Sequence, residues 1–268
     1  MHQEIVELFD LTGQVAMVTG GAVHLGFDAA SILAAAGCHL VITSRDAARA
    51  EQAAEKLRCT YTVDVLPLLL DQTDFANTQE TGRAAERWKG HVDILVNNAG
   101  GGSGQSTARL FDRDPRDIDH TISVNLTGMI YCCREIGRSM AARRSGKIIN
   151  IASIAGLVGR DRRMYTRAGM KGQPVDYAAA KAGVIGVTRD LAAFLAPMGV
   201  HVNAISPGGF ARNLPDQFVN DYSDRTPMGK MGRDGIDLKG AILFLASRAS
   251  DYVTGHNLVV DGGFSIWQ

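Results

Sequence analysis

The sequence predicts a doubly wound α/β fold, in which a parallel sheet carries helices on both faces. Short apolar segments alternate with alanine-rich segments of helical periodicity along the chain. The first apolar segment runs directly into Gly20-Gly21, as strands do before a nucleotide-binding turn. With 268 residues, 46% of them hydrophobic, and no linker, repeat or low-complexity tract, the chain is predicted to form one domain over 1–268.

Seven segments are predicted to be strands because they are short, apolar and bounded by glycine or polar residues. They are residues 15–19, 39–43, 63–70, 94–96, 147–151, 201–205 and 257–260. Pro67 lies within the third segment. Since proline cannot donate to a strand ladder, we expect that strand at a sheet edge or a bulge.

Six segments between these strands are predicted to be helices from their length and apolar spacing. They are residues 28–36, 47–57, 73–88, 115–140, 177–196 and 238–247. Gly37 follows the first of them directly and is a typical helix stop. Strands that alternate with helices of this length form βαβ units, which require a parallel sheet.

Composition gives no reason to expect nucleic acid, a membrane or a metal as a partner. The chain has 28 basic and 28 acidic residues and therefore no formal net charge. Its four cysteines form no Cys-x-x-Cys pair, and the adjacent Cys132 and Cys133 suit neither an ordinary disulfide nor a metal site. The N-terminus lacks a signal pattern, and no apolar run approaches the ~20 residues of a membrane span. These features predict a cytoplasmic protein.

The turn after the first strand is rich in glycine, with Gly20, Gly21 and Gly26 within eight residues of Thr19. Glycines let the backbone approach a pyrophosphate closely, and the helix that begins nearby directs free N–H groups at that anion. The alternative interpretation is an ordinary tight turn between a strand and a helix.

Tyr177 and Lys181 are four residues apart in a predicted helix, so they lie on the same face. A tyrosine has a pKa of roughly 10, and a nearby ammonium group favours the phenolate and lowers that pKa. Such a tyrosine can exchange a proton with a carbonyl or alcohol oxygen. Taken alone, the same spacing is typical of a solvated helix face.

In order along the chain, these motifs resemble those of the short-chain dehydrogenase/reductase superfamily, from about residue 11 to 264. Thr19, Gly20, Leu25 and Gly26 match its glycine loop, whereas His24 stands where the family has its middle glycine. The other motifs also match in order: Asn97-Asn98-Ala99-Gly100, Asn125, Ser153, Tyr177 with Lys181, and Pro207-Gly208. The run 8–13 is similar to members named gluconate 5-dehydrogenase and 3-oxoacyl reductase.

The resemblance implies a Rossmann-type fold and a bound nicotinamide dinucleotide. The residues implied to contact the cofactor are Gly20, Gly21, His24, Leu25, Gly26, Ser44, Arg45, Asp71, Gln72, Asn98, Ala99, Gly100, Tyr177, Lys181, Pro207 and Gly208. Asp71 and Gln72 align beside the adenine. For His24, one hypothesis is an imidazole that donates to a phosphate oxygen, and the other is a ring turned outward from a reshaped turn.

The residues after the second strand favour NADP over NAD. Enzymes that use NAD carry an acid there for the ribose 2′-hydroxyl, whereas this chain has Ser44 in that slot and Arg45 next to it. A guanidinium can pair with a 2′-phosphate, which a carboxylate would repel. NAD stays possible because Asp46 follows and because Val23 replaces a basic residue of many relatives that use NADP.

The resemblance also implies hydride transfer between the nicotinamide and a carbon that bears oxygen. Ser153 would donate to the substrate oxygen, Tyr177 would exchange its proton, Lys181 would lower the tyrosine pKa, and Asn125 would anchor a water. Taken singly, Ser153 is also a helix N-cap and Asn125 a loop amide. The alternative function is a nucleotide-binding regulator without catalysis.

Two departures from the family pattern stand out. Arg212 replaces a threonine that would bond the carboxamide, and an insertion at about 159–176 separates Ser153 from Tyr177. Its glycines and Pro174 predict a loop without regular helix. The insertion carries five basic residues, Arg160, Arg162, Arg163, Arg167 and Lys171. We expect it at the active-site mouth. One hypothesis is that it selects an anionic substrate such as a sugar acid, and the alternative is a solvated surface loop or a loop that packs on another subunit.

The resemblance predicts a small carbonyl or alcohol substrate and a homotetramer or homodimer. The apolar C-terminus, Phe264-Ser265-Ile266-Trp267, is the segment that we expect at a subunit contact.

Overall fold

The sheet of the computed structural model has seven parallel strands, and residues 2–101 and 107–267 are described. Its strands are β1 (Val15–Thr19), β2 (His39–Ser44), β3 (Val65–Leu69), β4 (Ile94–Asn97), β5 (Gly146–Ile151), β6 (Val200–Pro207) and β9 (Asn257–Val260). A separate two-stranded ladder joins β7 (Phe210–Ala211) to β8 (Gly232–Arg233). The spatial order β3-β2-β1-β4-β5-β6-β9 reverses direction between β1 and β4, where such sheets bind ligands. The predicted fold class is confirmed.

Ten α-helices connect and flank these strands in the described part of the chain. They are α1 (Gln3–Phe9), α2 (His24–Ala35), α3 (Ala47–Thr60), α4 (Phe75–Lys89), α5 (Pro115–Ile122), α6 (Gly128–Arg143), α7 (Arg162–Arg167), α8 (Val175–Leu195), α9 (Asp216–Asp224) and α10 (Lys239–Ala246). None of them has both the length and the apolar character that crossing a membrane requires. The sequence reasoning did not predict α1, α7 and α9.

The core consists of two apolar layers, one on each face of the sheet. Leu33 of α2, Leu57 of α3 and Leu245 of α10 pack on one face. Ile136 of α6 and Val184 of α8 pack on the other. Strand β1 lies between the layers with all five residues buried, as expected for a parallel strand covered on both sides. Since this burial extends to Thr19, the strand delivers its carboxyl end directly to the glycine-rich turn.

Strand β3 forms one edge of the sheet, as the proline in its segment predicts. It pairs only with β2, and Pro67 stands opposite Ile42. The missing N–H of proline is harmless at an edge because no further strand needs it.

The predicted helix 115–140 is interrupted by a π-helical turn. Helix α5 ends at Ile122, the turn spans Ser123–Thr127, and α6 continues from Gly128. Asn125 lies in the middle of this turn and is buried, with 2% of its surface exposed. A π-turn shifts the helical register by one residue, and such turns occur frequently at functional sites.

The insertion at 159–176 is not the irregular loop that its glycines predict. Helix α7 forms within it, and the carboxylate of Asp161 caps α7 by accepting from the backbone N–H of Arg163 at 2.9 Å. Met164, 2% exposed, enters an apolar cluster with Phe218 of α9. A helix of six residues is thus stabilised by its N-cap and by tertiary packing, and the packing is what local sequence signals do not report.

A buried ion pair holds the end of the insertion at the start of α8. Nη2 of Arg113 lies 2.8 Å from Oδ2 of Asp176, and the two side chains are 0% and 2% exposed. The same guanidinium donates to the Thr121 hydroxyl of α5 at 2.9 Å. Asp176 directly precedes Tyr177, so this pair sets where α8 begins.

We predict that Asp176→Ala lowers the free energy of unfolding by about 3–5 kcal/mol, because it removes the carboxylate paired with the buried guanidinium of Arg113. Urea denaturation measures the loss. The control is Arg116→Gln, which breaks an ion pair to Asp114 whose arginine is 90% exposed and should cost less than about 1 kcal/mol. Similar small losses in both variants would show that the buried pair contributes no more than the exposed one.

Candidate active site

A cleft of about 1150 Å³ runs along the carboxyl ends of the strands. Its lining includes every predicted cofactor and catalytic residue except Gly21 and Asn125. Gly21 is buried beneath the turn, where a Cβ would lie 3.1 Å from Ile42 of β2. The structure thus separates Gly21, which packs against the sheet, from the residues that face the cleft.

The glycine turn is held against the end of β4 by the side chain of Asn98. Its Nδ2 donates to the carbonyl oxygens of Thr19 at 3.1 Å and Gly20 at 3.2 Å. A Cβ on Gly26 would lie 2.2 Å from the Gly20 oxygen and 2.4 Å from Asn98 Nδ2. Gly26 therefore permits the close approach of α2 to the turn, which leaves the N-terminus of α2 open to the cleft.

His24 is the first residue of α2 and adopts a left-handed backbone conformation, with φ of 54°. Glycine adopts this conformation without strain, whereas histidine does so at some cost. This explains physically why the related motif has glycine at this position. The side chain of His24 is exposed at the cleft, and its contact with a phosphate stays a prediction.

Two arginines line the end of the cleft beside β2. Arg45 follows the strand, and Arg49 lies one turn further on, in α3. Asp46 caps α3 by accepting from the N–H of Arg49 at 3.1 Å, and its Oδ2 also lies 3.9 Å from Nη2 of Arg49 in a long ion pair. The sequence reasoning missed Arg49, although its i+4 spacing from Arg45 was visible.

Asp71 and Gln72 occupy the same end of the cleft but differ in what they bind. The carboxylate of Asp71 accepts from the Thr73 hydroxyl at 2.7 Å, which lowers the pKa of Asp71. The amide of Gln72 is buried and donates to the carbonyl of Ala99 at 3.0 Å and to that of Val124. Gln72 thereby ties the loop after β4 to the π-turn.

Ser153 and Tyr177 both line the cleft, where the Ser153 hydroxyl lies close enough to influence the pKa of Tyr177. Ser153 also caps the short 3₁₀ helix Ile154–Gly156 by accepting from the N–H of Ala155 at 3.1 Å. The two interpretations of Ser153 in the sequence are therefore compatible, because one side chain can cap a helix and still face the cleft.

Two cations flank the ring of Tyr177. Nζ of Lys181 lies 5.7 Å from the ring centroid, and the guanidinium carbon of Arg160 lies 5.9 Å from it. Burial raises the pKa of Tyr177, while the Ser153 hydrogen bond and the Arg160 charge oppose that rise. The net shift is opposite to the one predicted from the Tyr177–Lys181 spacing, because burial outweighs the nearby charge.

Lys181 is almost completely buried behind the tyrosine, with 4% of its surface exposed. Its ammonium group donates to the backbone carbonyl of Ile151, at the end of β5, at 2.8 Å. Burial lowers the pKa of Lys181 to about 8. The side chain therefore carries its charge at neutral pH and loses it as the pH rises through about 8.

Asn125 organises the loop after β4 from below the cleft. Its Oδ1 accepts from the N–H of Gly101 at 2.7 Å, and its Nδ2 donates to the carbonyl of Thr121 at 3.0 Å. A Cβ on Gly100 would lie 2.7 Å from the same Oδ1 and 3.5 Å from Nζ of Lys181. The loop, the π-turn and Lys181 therefore meet at Gly100.

The far wall of the cleft begins with Pro207 and Gly208 at the end of β6. Arg212, which replaces the family threonine, lies on this wall and pairs with Asp234, its Nε donating to Oδ2 at 2.9 Å. Phe264 is 8% exposed and stacks on Tyr222 with ring centroids 4.3 Å apart. Phe264 therefore packs within its own chain and does not belong to the exposed C-terminal surface predicted for a subunit contact.

Comparison with known proteins identifies the family. The family model described as enoyl-(acyl carrier protein) reductase matches residues 20–265. The chain is 35% identical over 270 residues to galactitol 2-dehydrogenase (L-tagatose-forming) of Cereibacter sphaeroides, which covers 97% of this chain and 98% of that protein. It is 33% identical over 269 residues to 5-keto-D-gluconate 5-reductase of Escherichia coli, with the same coverage. The chain belongs to the short-chain dehydrogenase/reductase family.

The crystal structure of a gluconate 5-dehydrogenase from Burkholderia cenocepacia, in complex with NADP and tartrate, extends this likeness to three dimensions. The TM-score is 0.88 at 32% identity, and the match covers 98% of this chain and 100% of that chain. The predicted family and oxidoreductase class are thereby confirmed. This short-chain dehydrogenase/reductase is an enzyme, and the alternative of a silent regulator is not supported.

We predict that Gly100→Ala weakens NADP binding by about tenfold or more, because the new methyl group displaces Asn125 from a packed position. Titration of the cofactor by fluorescence measures the change. The same substitution in an Asn125→Ala background meets no Oδ1 atom and should cost less, with the φ of 157° at Gly100 still disfavouring a side chain. If the two single losses simply added in the double variant, contact with Asn125 would not be their cause.

Proposed function

We propose that the protein reduces a ketone, or oxidises the corresponding secondary alcohol, with NADP as its cofactor and as a single Rossmann-type domain. The observation that carries this proposal is the joint placement of Ser153 and Tyr177 in the cleft, with Lys181 buried behind the tyrosine. A hydroxyl pair beside an ammonium group suits proton exchange at an oxygen atom.

The residues of the cleft fit a dinucleotide that carries an extra phosphate. The close approach at Gly26 leaves room for a pyrophosphate at the N-terminus of α2. Arg45 and Arg49 provide two guanidinium groups where a 2′-phosphate would lie, and the Asp46 carboxylate is engaged in capping α3. When bound, the cofactor supplies or accepts the hydride at its nicotinamide ring.

Four residues of the chain provide for proton transfer to and from the substrate oxygen. Tyr177 keeps its proton at neutral pH because burial raises its pKa, so it can donate to a carbonyl oxygen. Ser153 donates a second hydrogen bond to the same oxygen and holds it in place. The charge of Lys181 stabilises the phenolate that proton donation leaves behind. Asn125 fixes the loop at Gly100 and Gly101, and a water that it anchors would return the proton from solvent.

The relatives indicate the class of substrate. The compared proteins are named for galactitol, 5-keto-D-gluconate and gluconate, which are polyhydroxylated carbon chains. Other relatives are 3-oxoacyl-[acyl-carrier-protein] reductases at 32% identity. We assign this protein to the polyol and sugar-acid group, because the insertion adds polar and charged residues at the cleft.

We also propose a cytoplasmic homodimer or homotetramer. Four free cysteines, of which Cys38, Cys132 and Cys133 are buried, suit a reducing compartment. Exposed apolar side chains, among them Phe194 at 64% and Ile266 at 80%, support contacts between subunits.

We predict that Tyr177→Phe lowers kcat by about 10²–10⁴-fold while NADP binding changes little, because only the proton donor is lost. NADPH absorbance with a panel of polyhydroxy ketones measures turnover. Tyr131→Phe is the control, since that ring packs on Phe75, outside the lining of the cleft. Equal turnover in parent and Tyr177→Phe would refute the assignment of the proton donor.

We predict that Arg45→Asp weakens NADPH by about tenfold or more relative to NADH, because one charge-assisted contact is lost and a like charge is introduced. Arg49→Gln should shift the preference in the same direction by a smaller factor. Separate titrations of each variant with NADPH and with NADH measure this preference. Arg116→Gln is the control, because Arg116 is exposed and lies away from the cleft. An unchanged preference in Arg45→Asp would mean that its guanidinium does not face the 2′-phosphate.

A further inference from the structure

A second pocket of about 460 Å³ adjoins the cleft, between the insertion and the segment that follows residue 106. Among the described residues that line it, four are basic and none is acidic. The four basic residues, which define what we call the basic side pocket, are Arg109, Arg160, Arg162 and Lys171. Such a concentration of one charge is a feature of sites that bind anions.

The basic side pocket is continuous with the cleft that contains Tyr177. Arg160, Tyr165, Met170 and Gln173 line both spaces. The guanidinium carbon of Arg160 is 5.9 Å from the centroid of the Tyr177 ring. A small molecule can therefore place one end beside the Tyr177 hydroxyl and the other end among these cations.

The ion pairs of the insertion divide its basic residues into two groups. Arg163 lies 2.8 Å from the carboxylate of Asp161, and Arg167 lies 2.7 Å from that of Asp221. Both arginines therefore have a carboxylate partner, and both lie outside the lining of the basic side pocket.

The arginines of the pocket bind neutral oxygens instead. Arg160 donates to the side-chain oxygen of Gln173 at 2.7 Å and to the carbonyl of Pro174 at 3.1 Å. Arg162 donates to the backbone carbonyl of Gln173 at 3.2 Å. No carboxylate of the described chain lies within ion-pair distance of Arg109, Arg160, Arg162 or Lys171. Their positive charge is left for a ligand.

The pocket is supported by packed structure and does not need to form around its ligand. Tyr165 packs against Phe218 of α9 with ring centroids 4.9 Å apart, and Met164 is buried beside it. Asp161 also pairs with Arg225, which ties the start of α7 to the end of α9. A rigid arrangement spares the ligand the cost of ordering the site.

The positive charges of this pocket repel one another as long as no anion is bound. Burial, and to a lesser extent the neighbouring Arg162, lower the pKa of Arg160. A bound carboxylate or phosphate would relieve this repulsion and accept hydrogen bonds from the guanidinium groups.

We propose that the basic side pocket binds the anionic end, carboxylate or phosphate, of the substrate whose carbon reacts beside Tyr177. This inference rests on the proposed function and names the substrate class, a ketone or secondary alcohol with an anionic group on the same carbon chain. Specificity is then set by the part of the insertion that faces the pocket, and the paired arginines only hold the insertion in place.

The test compares two variants that each remove two positive charges from the insertion. Arg162→Gln/Lys171→Gln removes charge from the pocket, and Arg163→Gln/Arg167→Gln removes the paired charge outside it. KM is measured with NADPH for D-fructose, fructose 6-phosphate and 5-keto-D-gluconate, which are neutral, phosphorylated and carboxylated. Calorimetric titration of each NADP-saturated protein with inorganic phosphate and with tartrate measures anion binding without any turnover.

We expect the pocket variant to raise KM for an anionic ketone by about tenfold or more and to weaken anion binding similarly, with less than twofold change for fructose. The paired-charge variant should change each value less than twofold. The phosphorylated and carboxylated arms show which anion the pocket prefers, and an effect in either supports the proposal. Added salt should reduce the difference between parent and pocket variant.

Equal anion binding in the two variants, or equal KM changes for charged and neutral ketones, would overturn the proposal. An increase in KM confined to 3-oxoacyl groups on an acidic carrier protein would also overturn the proposal. The basic residues would then be a surface that binds the carrier protein. If no ketone were reduced, the proposed function would fail, and the calorimetric titrations would still decide whether the pocket binds anions.

Discussion

The hydrogen bonds that join the end of β1 to the end of β4 set the geometry of the whole cleft. The sheet order reverses there, so backbone groups at the strand ends lack a neighbouring strand to bind them. Asn98 satisfies two carbonyl oxygens of the glycine turn, and the Thr19 hydroxyl accepts from the N–H groups of Asn98 and Ala99 at 3.0 Å each. These contacts fix the glycine turn, and the fixed turn directs the N-terminus of α2 toward the cleft.

The sequence was sufficient to predict the elements that depend on regular burial. Every strand of the large sheet, including the edge position of the strand with Pro67, follows from short apolar runs and one missing donor. The predicted site residues also converge, since parallel strands bring their carboxyl ends to one edge. Helix α7 could not be predicted, because its stability comes from the distant Phe218 and Arg225 and not from its own propensity.

Charge is distributed unevenly over a chain whose formal net charge is zero. Arg45 and Arg49 lie at one end of the cleft, and Arg160 and Arg162 at the other. Asp46 and Asp161 cap helices, and each also pairs with arginine, Asp46 with Arg49 and Asp161 with Arg163 and Arg225. Basic side chains therefore cluster at both places, which the net charge does not reveal because it averages over the whole chain.

The insertion lies between the two residues that carry the reacting hydroxyls, Ser153 and Tyr177. Ser153 precedes it on the end of β5, and Tyr177 follows it in α8, while both hydroxyls are positioned by elements outside it. Its own contacts are made mainly to α9, a helix that also lies outside the sheet. The part of the insertion around α7 can therefore change in length or charge, and so change what the enzyme accepts, whereas Arg160 and Asp176 near its ends stay coupled to Tyr177.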